Sequence, residues 1–141
     1  MKENYLITID GRMEADGETD SVSLTTVGAF YQKGDKYYIC YKESEATGYQ
    51  GSTTTLKAWD GGVALKRFGR QGNTNLIIEK GAINLCSYQT PAGPLMLDIN
   101  GIDIDNRLSD KGGELTFSYS LNASGMLISE NTVNVKVKEI Q

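Results

Sequence analysis

The chain has 141 residues, of which 39% are apolar and 23% charged; this suits one compact domain, 1–141, and excludes both a disordered chain and a helical membrane span. Histidine is absent, so Ser-His-Asp and Cys-His nucleophile systems, histidine metal ligation and a histidine pH switch all fall away. A net charge of −4 disfavours broad phosphate-backbone binding, whose affinity comes from clustered Lys and Arg releasing counterions.

Met1-Lys2-Glu3-Asn4 lead straight into an alternating segment without an apolar leader core, so the expectation is a cytoplasmic protein. Tyr5, Ile7, Ile9, Gly11 and Met13 share one face of a first strand, which Ala15-Asp16-Gly17-Glu18 ends. Val22, Leu24, Thr26, Gly28 and Phe30 line one face of a second. Gly34-Asp35 is a two-residue hairpin signal, with Tyr37, Ile39 and Tyr41 on its far side. A loop, Glu45 to Gly51, precedes a Thr-rich strand, Thr53 to Trp59, and Asp60-Gly61-Gly62 turns the chain into Val63 to Phe68. A further hairpin runs through Gly69-Arg70-Gln71-Gly72-Asn73. Short strands at Asn75 to Glu79 and Ala82 to Tyr88 flank a tight turn at Lys80-Gly81, and Pro91 and Pro94 make Thr90 to Pro94 a loop or an edge.

Two phase changes punctuate the last third of the chain. Leu95, Leu97 and Ile99 are odd-numbered, whereas Ile102 and Ile104 are even-numbered, which predicts a β-bulge near Gly101 returning both isoleucines to the inner face. Leu115, Phe117, Tyr119 and Leu121 mark the next strand, Asn122 to Gly125 a turn, and Met126 to Glu139 the last strand. Within that strand Val133, Val135 and Val137 face inward after a second phase change between Ile128 and Val133. About ten short strands with short connections predict an all-β fold, an antiparallel up-and-down barrel of eight to ten strands, its interior either filled by side chains or open to one small ligand. Cys40 and Cys86 lack a Cys-x-x-Cys spacing and read as reduced, half-buried thiols, a bridge between them being the less expected alternative.

Tyr88-Gln89-Thr90-Pro91-Ala92-Gly93-Pro94-Leu95, preceded by Arg70-Gln71-Gly72 and Tyr41-Lys42-Glu43, resembles the YwiB-like family of uncharacterised bacterial proteins, as do Tyr119-Ser120-Leu121 and Asn131-Thr132-Val133. The resemblance spans nearly the whole chain. It implies a calycin-like, lipocalin-related barrel in a family without an established activity, and such barrels often hold small apolar ligands. The chain departs from true lipocalins in lacking an N-terminal Gly-x-Trp motif, its tryptophan being Trp59.

Several constellations bear on function. Arg67 and Arg70 flank a hairpin and could clamp a carboxylate or phosphate; the plainer reading packs their stems on an exposed aromatic such as Phe68. Arg70, which carries the resemblance, is the better candidate of the two. Glu43 and Glu45 could share a face as paired carboxylates, or simply form a solvated edge. Asp98, Asn100, Asp103 and Asp105 resemble calcium ligands but lack the EF-hand pattern, and a bulge that points all four outward explains them more simply. Gly69-Arg70-Gln71-Gly72 joins strands, unlike a nucleic-acid Gly-x-x-Gly loop between helices. The sequence thus suggests no catalytic residue, no metal and no cofactor. The expected function is non-enzymatic binding of a small amphipathic or anionic ligand or of a protein partner, with Arg70, Arg67, Glu43, Tyr41, Tyr88 and Tyr119 as candidate ligand residues. The alternatives are an enzyme acting on a small anion at one barrel end, and an RNA- or ribosome-associated protein using the basic strip 57–80.

Overall fold

The structure, a computed structural model, describes residues 4–47, 49–69, 73–90 and 93–140, and at 88–90 the backbone alone. Period-two alternation broken by turn residues produces β1 (Tyr5–Ala15), β2 (Glu18–Lys33), β3 (Lys36–Lys42), β4 (Thr53–Trp59), β5 (Gly62–Phe68), β6 (Thr74–Glu79), β7 (Ile83–Thr90), β8 (Gly93–Ser109), β9 (Gly112–Ala123) and β10 (Met126–Glu139). A 3-10 turn at Glu45–Thr47 interrupts the β3–β4 connection. Gly34, at a φ of 65°, supplies the left-handed residue of the β2–β3 hairpin.

All ten strands belong to one antiparallel sheet in the order β6-β5-β4-β3-β2-β1-β10-β9-β8-β7, curled into a nearly closed barrel. The first and last strands, β1 and β10, pair from Tyr5↔Glu139 to Glu14↔Glu130. The turn at Lys80-Gly81 forms, yet the strands it joins are the two edges of the sheet and share no ladder. The seam is fastened instead at Gly101 of β8: its N–H donates to the Ala82 carbonyl, and its carbonyl accepts from the Gly81 N–H, both at 3.0 Å. A Cβ at this position would run into the Glu79 backbone carbonyl, so glycine permits the close approach that ties β8 to the β6–β7 turn.

The first expected register slip is present, between Gly101 and Asp103 on β8; the second, expected between Ile128 and Val133, falls one residue earlier, between Leu127 and Ser129 on β10, and leaves Ile128 exposed. The first corrects one expectation. Ile102 is the inserted residue and stays exposed, because a bulge leaves its extra residue out of the ladder; Ile104 alone resumes packing against the core. Pro94 lies within β8, opposite Gln89 of the edge strand β7. Pairing of β8 with β9 begins only at Asp98, so no neighbour needs the N–H that proline lacks.

Side chains of the inner faces stack in layers set by register. Across β3 to β6, Ile39, Leu56, Leu65 and Leu76 form one layer, and Tyr41, Thr54, Arg67 and Thr74 form the next. On the opposite wall Leu24, Ile9, Val135 and Leu115 align. Phe117, Ile7, Ile39 and Ile99 are fully buried between the walls, and Val135 and Val137 are buried too, each such side chain contributing about 1.5–3 kcal/mol relative to exposure. Met13, Val22 and Leu95 keep the inward phase yet remain exposed, since the hairpins that carry them reach past the packed layers. Cys40 is half-buried, Cys86 is buried, and both are free thiols.

Candidate functional site

The apolar layers give way to a polar one at the barrel end where β3 finishes. Glu43 continues the inward phase of Ile39 and Tyr41. Its N–H donates to the Ser52 carbonyl at 2.9 Å, which turns the chain so that the carboxylate enters the barrel with its side chain 1% exposed. A charge so far from water requires a counter-charge and hydrogen bonds. The Thr54 hydroxyl donates to Glu43 Oε2 at 2.6 Å, and Arg67 Nε donates to the same oxygen at 3.2 Å. Arg67 Nε also lies 3.2 Å from Thr54 Oγ1. Register explains the convergence, since Tyr41 pairs with Thr54 across β3–β4 and Thr54 with Arg67 across β4–β5.

The Arg67 side chain is 14% exposed. The Tyr49 ring covers one face of its guanidinium, with Cζ 3.8 Å from the ring centroid, a cation–π contact. With Nε committed to Glu43 and Thr54, no protein hydrogen bond falls on Nη1 or Nη2 among the described residues. Arg67 lines a cavity of about 450 Å³. Leu65, Leu76, Leu121 and Val133 supply its apolar wall, Tyr119, Asn131 and Ser21 neutral polar groups, and Arg12 and Asp20 one further charge of each sign; Thr47 and Tyr49 line it as well. Burial first, and the neighbouring Glu43 carboxylate second, push the Tyr41 phenol far above its ordinary pKa. Burial likewise pushes Tyr119 up to about 12, with Arg67 acting in the opposite direction. Both phenols are therefore neutral hydrogen-bonding groups at ordinary pH.

Of the expected ligand residues, Glu43, Arg67, Tyr41 and Tyr119 come together here. Arg70 lies outside the described residues, as does the side chain of Tyr88, whose backbone pairs with Leu95. Two expectations need correction. Glu43 and Glu45 do not share a face: Glu43 is buried while Glu45 is exposed in the 3-10 turn. Nor does Arg67 pack on Phe68, because successive residues of a strand point to opposite sides; Phe68 is exposed and Arg67 turns in to Tyr49 and Glu43. Thr54 was missed although its even phase with Leu56 and Ala58 marks it as inward; Tyr49, in a loop, carries no periodic signal.

Elsewhere, Asp103 pairs with Lys80 at 3.3 Å and Asp105 with Arg107 at 3.2 Å, both exposed, while Asp98 and Asn100 are half-buried. No cluster of three or more metal-ligating side chains occurs among the described residues. No helix among them is long and apolar enough to cross a membrane.

Comparison with known proteins agrees with this architecture. The uncharacterised β-barrel protein YwiB of Bacillus subtilis (strain 168) is 27% identical over 123 residues, covering 86% of this chain and 84% of the relative. The crystal structure of ywiB protein from Bacillus subtilis superposes with a TM-score of 0.77 at 22% identity, over 94% of this chain and 89% of the other; at that identity the likeness is one of fold. Residues 7–135 match the family described as "domain of unknown function (DUF1934)", and the chain belongs to that family of β-barrel proteins.

Proposed function

We propose that the barrel is a non-catalytic binding protein for a small amphipathic anion, held in the cavity beside Arg67. The carrying observation is the guanidinium itself. Glu43 and Thr54 hold its Nε and Tyr49 covers one face, so its orientation is set before a ligand arrives, while among the described residues no side chain or backbone group takes up its Nη donors. A planar fork so fixed matches a carboxylate or phosphate oxygen pair. The cavity, about 450 Å³, falls within the ~300–1,000 Å³ of small-molecule sites. Its leucine and valine wall favours an apolar body behind the anionic head.

Binding is preferred over catalysis because Glu43, the nearest carboxylate, is sealed from solvent and its Oε2 already accepts two hydrogen bonds, which suits a structural anchor better than a proton shuttle. An RNA-binding role draws little support. The strip 57–80 is divided by the wall, Lys66 being exposed on the outer face and Arg67 turned inward. The setting we favour is the cytoplasm, where Cys40 and Cys86 would stay reduced.

Native mass spectrometry of gently purified protein, followed by calorimetric titration with decanoate, decanol and decylamine, tests the reading. Decanoate should bind saturably and at least tenfold more tightly than decanol, since a hydrogen bond to a charged group is worth about 1.5–3 kcal/mol. Decylamine should not compete. Arg67→Met should bring decanoate down to the level of decanol; equal decanoate affinity in wild type and Arg67→Met overturns the proposal.

A further inference from the structure

Beyond the cavity mouth, a groove of about 510 Å³ runs between the tip of the β1–β2 hairpin, residues 14–19, and the start of β10 at Leu127, Ile128 and Glu130. Met126, Leu127 and Ile128 are 73%, 58% and 41% exposed, three consecutive apolar residues in water. Period-two alternation would have buried one of them. The slip between Leu127 and Ser129 prevents this, for Ser129 takes the buried inward position and Ile128 is left outside the ladder. Runs of this kind on a soluble surface mark contact sites.

The rim of the groove supplies the sign of the partner. Glu14, Asp16, Glu18 and Glu130 line it, and register sets Glu14 directly opposite Glu130, a like-charge cross-strand pair that works against the isolated barrel. Arg12 reaches Glu14 at 3.1 Å. Asp16, Glu18 and Glu130 have no ion pair among the described residues.

We infer that this groove docks a cationic amphipathic segment of another protein, its apolar side on Leu127 and Ile128 and its Lys or Arg side chains against the four carboxylates. Charge complementarity selects that occupant. An anionic lipid surface would be repelled by the rim. A second copy of this chain would have to offer its outward lysines, such as Lys66 of β5, from a different face; such head-to-tail contacts make open chains instead of a closed pair.

The test uses the full-length protein, labelled with 15N, and two synthetic helical peptides of equal length, one of Lys and Leu with an amphipathic repeat and its Glu/Leu counterpart. The Lys/Leu peptide should bind saturably, with amide shifts confined to residues 14–19 and 126–130, and the Glu/Leu peptide should not bind. Leu127→Ser/Ile128→Ser, which keeps every charge, should weaken binding at least tenfold. Glu14→Gln/Glu130→Gln should weaken it similarly while leaving thermal stability equal to or above wild type, because it removes a repulsion. Undiminished binding by the serine pair would reduce the effect to bulk charge and overturn the inference. So would shifts scattered over the acidic surface, or self-association of the wild type abolished by the serine pair.

Discussion

Replacing Arg67 by Met would leave the Glu43 carboxylate, 1% exposed, with the Thr54 hydroxyl in place of a counter-charge. Breaking a buried pair from one side costs about 3–5 kcal/mol, and Arg67→Met should lie in that range because water cannot reach Glu43. The converse change is milder. Glu43→Gln keeps an acceptor for Thr54, and Arg67 borders the cavity, where its charge can be solvated, so about 1–3 kcal/mol is expected, near the cost of an unmade hydrogen bond. In the double variant neither charge is stranded. Its cost should be well below the sum of the two, giving a coupling of about 1–3 kcal/mol. Urea unfolding followed by circular dichroism reads each value, and with m of ~1–3 kcal/mol/M the Arg67→Met midpoint should fall by roughly 1–5 M. Additive single effects, each below about 0.5 kcal/mol, would refute the view that the pair is buried and mutually dependent.

Tyr119, pushed up to about 12 from 10.0 by burial, stays neutral in the fold at a pH where the unfolded chain would ionise. Its contribution to stability is therefore intact below pH 10 and declines as pH rises from 10 to 12. Tyr41 shifts in the same direction. These two should develop tyrosinate absorbance only well above pH 10 or on unfolding, read as the step lost in Tyr41→Phe and in Tyr119→Phe; a Tyr119 step at pH 10 in the folded protein would contradict the placement. Gly101→Ala should strain the seam against the Glu79 carbonyl and lower Tm by roughly 2–12 °C, the equivalent of about 1–3 kcal/mol of overpacking, whereas an unchanged Tm would mean the seam is slack. Burial and the nearby Asp98 push the Cys86 thiol up. Cys86 should react with a disulfide reagent more slowly than the half-buried Cys40, and equal rates would place Cys86 at the surface.

The barrel was legible because alternation is a local signal. Val133, Val135 and Val137, or Leu115, Phe117 and Tyr119, announce an inner face without knowledge of their neighbours. Even the two bulges showed as changes of parity. What alternation does not encode is which strands become the sheet's edges: a tight turn at Lys80-Gly81 reads like any hairpin, yet β6 and β7 do not pair, and the seam depends on a close approach at Gly101 that no local pattern reveals. Ile102 was misplaced for a related reason, because parity locates a bulge without saying which residue is expelled. The site was legible in part. Tyr41, Glu43, Arg67 and Tyr119 are all in inward phase or contiguous with it, but their convergence requires the cross-strand register, and Tyr49 reaches Arg67 from a loop with no period.

Anion binding depends on Arg67 offering its Nη edge inside the barrel. The most direct measurement is the side-chain 15Nε signal of Arg67, assigned by its loss in Arg67→Met, recorded while decanoate is added to the wild-type protein. That signal should shift saturably, in step with amides of Leu65, Leu76 and Leu121 around the cavity. A stationary Arg67 signal, with decanoate perturbing only outward-facing residues, would contradict it.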